Sequence, residues 1–187
     1  MIKLYFFGGA FDPPHIGHYN IVNHCLKECD KLIVIPSNIP VDKSPAKVSA
    51  SHRFNMLEIL FSDLDVIIDD YEINSLRENY TFYTIEYLLK KYTNSEITMV
   101  IGHDQALNFH NWYQNDKIKN MVNILCFNRK VSAKENKIDG FIYNSDFNFE
   151  ISSSNLRKYL KDLNYSKLRR YIQPKVLDYI MKNNLYV

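Results

Sequence analysis

The chain has 187 residues, of which 46% are hydrophobic and 24% charged, and its 23 basic residues nearly balance 21 acidic ones. That length and composition are typical of one ordinary globular domain, so we expect a single domain over residues 1–187. The formal charge of +2 argues against nucleic acid as the main partner. No apolar run reaches the length of a membrane span, and the first run meets Gly8 too early for a signal peptide, so we expect a cytoplasmic protein without membrane contact.

Apolar runs alternate with segments in which apolar residues recur at helical spacing. The predicted strands are 2–7, 31–36, 66–68, 97–102, 121–127 and 140–143. Predicted helices begin at Ile16, cover 51–61 with Ser51 as the N-cap, cover 81–92, and fill most of the chain after Ser153, with Pro174 opening the last one. This alternation predicts an open, doubly wound parallel α/β sheet with a C-terminal helical segment. Ligands of such sheets bind beyond the carboxyl ends of the strands.

The three cysteines are too few and wrongly spaced for a disulfide framework or a four-ligand zinc site. Cys25 and Cys29 are predicted to be half-buried thiols on the first helix. We therefore expect no metal ligands among the protein's side chains.

The stretch GGAFDPPHIGH, from Gly8 to His18, lies where the first strand gives way to the first helix. Glycines at such a turn let a phosphate approach the backbone, and the free amides of a helix N-terminus attract anions. His15 and His18 are three residues apart and share one helix face, so both imidazoles point toward the same place. These residues predict a phosphate site built for chemistry rather than for binding alone.

This stretch resembles the signature of the nucleotidylyltransferase superfamily, whose (T/H)xGH motif is matched by His15-Ile16-Gly17-His18. With Gly-Gly-x-Phe-Asp-Pro-x-His in front, the chain is similar to the bacterial nicotinate mononucleotide adenylyltransferases, from Lys3 to about Tyr186. The resemblance implies a Rossmann-like nucleotidylyltransferase fold, with ATP and nicotinate mononucleotide as substrates and Mg²⁺ carried on the ATP phosphates. The implied catalytic residues are His15 and His18, and the implied phosphate contacts come from Gly8, Gly9 and Phe11.

A second motif, Ile151-Ser152-Ser153-Ser154-Asn155-Leu156-Arg157, resembles the family's ISSTxxR segment. Serines before a helix supply caps and hydroxyl donors, and an arginine one turn later can bind the same anion with its planar fork. The resemblance implies that Ser153, Ser154 and Arg157 hold the β- and γ-phosphates of ATP, with Arg157 also catalytic.

Two further residues are assigned to ATP by resemblance. Asp104 follows the fourth strand in Gly102-His103-Asp104 and matches a G-x-D segment whose aspartate lies near the adenosine ribose, although a plain helix N-cap explains it equally well. Lys43 closes the loop after the second strand, where the family pattern P-x-x-x-P-P-H-K departs at Val41 and Asp42. The implied role of Lys43 is a point charge for phosphate.

The second base has its own candidates. Trp112 and Tyr113 match a Trp-Tyr pair that stacks on the pyridine ring in the family, although aromatic pairs also pack ordinary cores. Tyr80 and Thr81 match the (S)YT segment, whose backbone amides contact the nicotinate carboxylate, with Asn79 in the usual position of serine. These four residues are the predicted pyridine-nucleotide site.

Other functions share part of this pattern. A phosphopantetheine adenylyltransferase or a cytidylyltransferase would share the HxGH motif, but the pyridine-site residues favour the pyridine-nucleotide branch. A fragment of a class I aminoacyl-tRNA synthetase would share the letters HIGH, but this sequence has no KMSKS-like loop. A silent nucleotide sensor would have no need of both histidines together with Arg157. The preference for acid or amide mononucleotide and the formation of a homo-oligomer stay open.

Overall fold

The computed structural model describes residues 1–38, 45–75, 78–127, 137–144 and 151–186. Its strands are β1 (Ile2–Gly9), β2 (Lys31–Pro36), β3 (Ile67–Ile68), β4 (Ser95–Gly102), β5 (Asn123–Phe127) and β6 (Phe141–Asn144). Its helices are α1 (Ile16–Cys25), α2 (Ala50–Leu60), α3 (Thr81–Lys91), α4 (His103–Leu107), α5 (Asn115–Met121), α6 (Ser153–Lys161), α7 (Tyr165–Tyr171) and α8 (Pro174–Lys182), with a 3₁₀ turn at Phe109–Asn111 between α4 and α5.

The strands form one sheet in the order β3-β2-β1-β4-β5-β6, and every described pair is parallel, which confirms the predicted doubly wound sheet. The strand order reverses between β1 and β4, and such a switch point opens a crevice at the carboxyl ends of the strands. The register places Gly9 beside Pro36, and Phe7 beside Val100 two residues before Gly102. The carboxyl ends of β1, β2 and β4 therefore lie together at one edge.

The sheet separates two hydrophobic layers. Neighbouring β1 residues point to opposite faces: Phe7 joins a cluster with residues of α1, α2 and the three C-terminal helices, and Phe6 joins a cluster with residues of α3, α4 and α5. Both layers are buried, which explains why the central strands read as nearly continuous apolar runs. The helices α1 and α3 begin near the carboxyl ends of the strands, where the crevice lies.

Two sequence expectations about the elements are wrong, and two short helices were missed. Ser49, not Ser51, is the N-cap of α2, because its Oγ accepts the amide of His52 at 3.3 Å. The fifth strand begins at Asn123, because Met121 still belongs to α5. The short helices α4 and α5 were not predicted, since five and seven residues hardly cover two helical turns.

The first helix also ends earlier than expected. Cys25 is its last residue and is fully buried, so the pKa of its thiol is raised by loss of solvation, whereas Cys29 lies beyond the helix and is half-buried. Within the described ranges, no three His, Cys, Asp or Glu side chains come together in a way that could hold a metal ion. None of the described helices is long and apolar enough to cross a membrane.

Candidate active site

The first turn of α1 holds both histidines in one compact arrangement. His15 is the N-cap, and its Nδ1 accepts the amide of Gly17 at 3.1 Å. His18 completes a capping box, because its Nδ1 accepts the amide of His15 at 3.2 Å. The two rings are stacked with centroids 3.7 Å apart. Since each Nδ1 accepts a hydrogen bond, each neutral imidazole carries its proton on Nε2 and can donate it to a ligand.

Gly17 is required by the way His15 folds back over the helix. A Cβ added at Gly17 would lie 2.9 Å from Cε1 and 3.0 Å from Nδ1 of His15, closer than real contacts allow. Any side chain at this position therefore displaces the buried His15 imidazole. The glycine inside the HIGH motif thus sets the position of the first histidine.

Phe11 packs against the second of these histidines. Its backbone has φ of 50°, a conformation that bulky residues rarely adopt, and its side chain is 3% exposed. The ring packs edge-on against Phe7 and His18, with centroids 5.4 and 5.0 Å away. Only the backbone of Phe11 is therefore placed to contact a phosphate. Gly8 has open space beside it, whereas a Cβ at Gly9 would lie 3.2 Å from the ring of Phe11.

The N-terminus of α6 lies against the turn that precedes α1. Ser152 is the N-cap, since its Oγ accepts the amide of Asn155 at 3.2 Å. The Oγ of Ser153 donates to the carbonyl of Pro13 at 2.9 Å. Two helix N-termini, those of α1 and α6, thus meet at one turn, and such termini favour bound anions.

Arg157 extends from α6 into this junction. Its Nη1 donates to the backbone carbonyl of Asp12 at 2.6 Å and lies 3.6 Å from Oδ2 of the same residue. Its Nη2 donates to the exposed Ser154 hydroxyl at 2.9 Å. These bonds use two of the five guanidinium N–H groups. Arg157 is thus oriented by the protein itself, with donors left over for an anion.

The Asp12 carboxylate is the centre of a buried cluster. Its Oδ1 accepts the hydroxyl of Tyr186 at 2.8 Å, and its Oδ2 accepts the amide of Lys47 at 2.8 Å. The buried Arg53 lies close by and donates from Nη1 to the carbonyl of Ala10 at 2.6 Å. Burial lowers the pKa of Arg53, an effect that the charge of Asp12 opposes. The turn that carries the histidines is therefore fixed from several sides.

The other ATP candidates are placed less fully. Asp104 is exposed in the first turn of the short α4, directly after the carboxyl end of β4, and the N-cap of that helix is Gly102. The N-cap alternative for Asp104 is therefore wrong, while its assignment to ribose stays a prediction. Lys43 lies outside the described residues, as do Val41 and Asp42 beside it.

Three of the four pyridine-site candidates come together. Tyr80 is the N-cap of α3, Thr81 is its first residue, and no described side chain caps that helix start. The ring of Tyr113 lies 5.0 Å from that of Tyr80, and the Tyr83 hydroxyl, 3.5 Å away, lowers the pKa of the exposed Tyr113. Trp112 is half-buried, with its ring 5.2 Å from that of Phe109 in the core. Tyr113 is thus the more accessible member of the aromatic pair.

Asn79 links the ends of β1 and β2 to the start of α3. The amide of Ser37 donates to the carbonyl of Gly9 at 2.9 Å, and the amide of the next residue, Asn38, donates to Oδ1 of Asn79 at 2.8 Å. The Nδ2 of Asn79 in turn donates to the carbonyl of Glu72 at 3.2 Å. A side chain that departs from the family's usual serine therefore joins the ends of β1 and β2 to the start of α3.

Glu72, whose carbonyl accepts the Asn79 side chain, has a buried carboxyl group. Its Oε1 accepts the Thr84 hydroxyl at 2.6 Å, and it is 6% exposed. Loss of solvation raises its pKa to about 7, and the bond from Thr84 offsets part of that rise. The turn before α3 therefore contains a group that titrates near neutral pH.

The sequence did not reveal Tyr186, Lys47, Arg53 and Asn79 as supports of the site. Asp12 lies within the predicted Gly8–His18 motif, but nothing in the sequence showed that it touches Tyr186. The arrangement that results is a crevice with two imidazole donors, one guanidinium and two helix N-termini at one end, and an aromatic cluster at the other. Such a crevice can hold a phosphate chain and stabilise charge that develops on it.

Comparison with known proteins agrees with this chemistry. A family model described as cytidylyltransferase-like matches residues 6–159. A protein of Aliarcobacter butzleri is 35% identical over 159 residues, which cover 83% of this chain and 86% of that protein. One from Nitratiruptor sp. is 32% identical over 184 residues, covering 97% of this chain and 98% of its own length. Both relatives are described as probable nicotinate-nucleotide adenylyltransferases.

Solved structures show the same fold. The nicotinic acid mononucleotide adenylyltransferase of Plasmodium falciparum, complexed with NaAD, superposes with a TM-score of 0.82 at 24% identity, covering 100% of this chain and 98% of that one. A structure of the same enzyme complexed with APC gives a TM-score of 0.80 at 22% identity. At these identities the likeness concerns the α/β fold.

Proposed function

The chain belongs to the cytidylyltransferase-like family, and we infer that it transfers the adenylyl group of ATP to nicotinate mononucleotide in NAD biosynthesis. The products are nicotinate adenine dinucleotide and pyrophosphate. The observation that carries this conclusion is that the stacked rings of His15 and His18 directly follow the turn that Arg157 binds at Asp12, beside the switch point of the sheet. Full-length relatives that bear the name of this activity support the choice of substrates.

The reaction needs no activated nucleophile on the protein. A phosphate oxygen of nicotinate mononucleotide attacks the α-phosphorus of ATP. The bond from that phosphorus to the oxygen of the β-phosphate breaks, and pyrophosphate leaves with the electron pair. Catalysis consists of positioning the two substrates and stabilising charge on the phosphates.

His15 and His18 donate from Nε2 to the α-phosphate and to the oxygen that leaves with pyrophosphate. Their Nδ1 atoms are held by backbone amides, so the donors are oriented before the substrate arrives. The two Nε2–H groups stabilise the negative charge that develops on these oxygens in the transition state. The open glycine end of β1, with Gly8, Gly9 and the backbone of Phe11, lets the phosphates approach closely.

Arg157 binds the β- and γ-phosphates together with the Ser154 hydroxyl and the backbone amide of Ser153, whose own hydroxyl is bonded to the carbonyl of Pro13. Its guanidinium is fixed on Asp12 and Ser154, and its remaining N–H groups neutralise the leaving pyrophosphate. Asp104 accepts hydrogen bonds from the adenosine ribose. Lys43, whose position lies outside the described residues, is assigned to the phosphates on the family resemblance alone.

A divalent cation accompanies ATP in this reaction, and we propose that it is Mg²⁺. It belongs on the phosphates, because the described part of the chain brings no three acidic, His or Cys side chains together to hold it. Bound there, it adds positive charge at the leaving group. The residues that meet this end of the triphosphate are those of α6.

The pyridine ring lies among Tyr80, Trp112 and Tyr113, and the nicotinate carboxylate accepts the amides at the start of α3, beginning with Thr81. Backbone amides at a helix N-terminus suit a carboxylate better than a neutral amide group. We therefore propose the acid mononucleotide as the acceptor. We also propose that the protein works in the cytoplasm.

Pyrophosphate release tests the proposed function. Purified protein is incubated with ATP, Mg²⁺ and one acceptor at a time: nicotinate mononucleotide, nicotinamide mononucleotide or phosphopantetheine, with CTP plus a phosphorylated alcohol as a further pair. Release with the pyridine mononucleotides alone supports the proposal. Release with phosphopantetheine or CTP instead, or with none of them, contradicts it.

A further inference from the structure

The last described residue of the chain reaches the turn that carries the catalytic motif. The hydroxyl of Tyr186 donates to Oδ1 of Asp12 at 2.8 Å across a separation of 174 residues. Tyr186 is 8% exposed and Asp12 is 5% exposed, so this bond is shielded from water. Loss of a donor to a buried carboxylate is costly, because no solvent replaces it.

The end of the chain is shaped to deliver this hydroxyl. After α8, Asn184 and Tyr186 adopt left-handed φ values of 49° and 66°. The amide of Leu185 donates to the carbonyl of Ile180 at 3.0 Å, which turns the chain back toward the core. Leu185 and Tyr186 then pack in the same hydrophobic layer as Phe11. Burial, and the neighbouring Asp12 after it, raise the pKa of Tyr186, so its hydroxyl stays protonated as a donor.

Asp12 passes this restraint to Arg157. The two oxygens of its carboxylate are fixed by different parts of the chain, Oδ1 by Tyr186 and Oδ2 by the amide of Lys47. Arg157 is held by the carbonyl of Asp12 at 2.6 Å and faces Oδ2 at 3.6 Å. If Tyr186 released Oδ1, the carboxylate could rotate, and its angle to the guanidinium would change.

We propose that Tyr186 is a positioning residue for adenylyl transfer: through Asp12, its hydroxyl fixes the orientation in which Arg157 meets the leaving pyrophosphate. This inference rests on the proposed function. It assigns a role in the reaction to the segment that follows α8, whose other contacts are those of core packing. Tyr186 touches no reacting atom and acts only through Asp12 and Arg157.

The test replaces Tyr186 by Phe, which removes the hydroxyl and keeps the ring. We expect Y186F to lower kcat about tenfold, while KM for nicotinate mononucleotide changes less than about twofold, because the pyridine end is untouched. The matched control is Tyr179→Phe on α8, whose hydroxyl bonds His52 and Asn55 at 2.9 Å each, away from the crevice. Y179F should keep the kcat of the wild type.

A double-mutant cycle separates positioning from general support of the fold. In an Arg157→Ala background, Y186F should have little further effect on kcat, because the group that it positions is absent. A full tenfold loss in that background, or an unchanged kcat of Y186F in the wild-type background, overturns the proposal. Assays are run at a temperature where circular dichroism shows all variants to be folded, and a chain that ends after Leu185 repeats the test without the ring.

Failure of this proposal and failure of the proposed function give different results. If the wild type makes no nicotinate adenine dinucleotide, the proposed function is wrong. If the wild type makes it and Y186F does so at the same kcat, only the role of Tyr186 is wrong.

Discussion

The two imidazoles of the HIGH motif support each other before they meet a substrate. His15 caps the helix through Gly17, and His18 caps the amide of His15, so each Nδ1 is engaged by the backbone. Each neutral ring then carries its proton on Nε2, and the two rings stack at one helix N-terminus. Donors that need no reorganisation during the reaction are the most effective stabilisers of developing charge.

Replacement of His18 by Ala removes one of these donors. We expect kcat to fall by about a hundredfold or more, while the fold is kept, because a lost capping bond costs only about 1 kcal/mol. Steady-state pyrophosphate release and a thermal melt measure the two effects. His52→Ala is the control, since that imidazole lies on α2 and bonds Tyr179. An H18A protein with wild-type kcat would remove the histidine from the mechanism.

Replacement of Gly17 by Ala tests whether the position of His15 matters as well as its presence. The new methyl group would lie 2.9 Å from Cε1 of His15, so the imidazole must move. A shift of this size at a catalytic group lowers kcat by roughly tenfold to a hundredfold. The NMR signals of the His15 ring should move in the same variant. Unchanged kcat and unchanged ring signals would show that the crevice tolerates a displaced imidazole.

At the scale of elements, helix starts and loops meet at the carboxyl ends of β1, β2 and β4. The N-termini of α1 and α6 meet at the turn before His15. Asn79 joins the ends of β1 and β2 to the start of α3 through Asn38 and Glu72. The relative placement of these elements therefore depends on a few hydrogen bonds between loops, close to the buried Glu72.

Glu72 makes the stability of this region depend on pH. Its pKa is about 7 in the folded protein and near its ordinary value of 4.5 when unfolded, so the folded state holds the proton more tightly. Its contribution to stability is complete below about pH 4.5 and is lost as the pH rises to about 7. The Glu72→Gln variant keeps an acceptor for Thr84 without the charge.

We therefore expect E72Q to equal the wild type in stability near pH 4.5 and to exceed it above pH 7, by about 3 kcal/mol at most. Urea unfolding at several pH values between 4.5 and 8 measures the difference. Parallel stability profiles for the two proteins would show that Glu72 does not titrate in this range.

At the scale of the whole molecule, the sequence predicted those features that depend on a local pattern of residues. Apolar runs located the six strands, and the HIGH and SSSxxR segments could be recognised because each motif is contiguous in the chain. The contacts of Asp12 with Tyr186 and of Asn38 with Asn79 could not be predicted, since they join residues 174 and 41 positions apart. Short helices such as α4 also escaped prediction, because so few turns leave no periodic pattern.

The measurement that tests the account most directly is kcat/KM for the two pyridine mononucleotides, with the dinucleotide product identified by mass. Adenylyl transfer at the phosphate end and carboxylate recognition at the start of α3 together predict nicotinate adenine dinucleotide as the product. We expect kcat/KM for nicotinate mononucleotide to exceed that for nicotinamide mononucleotide by at least about tenfold, the ratio given by one charge-assisted hydrogen bond. Equal use of both acceptors would contradict the assigned role of the α3 amides, and no dinucleotide from either would contradict the account as a whole.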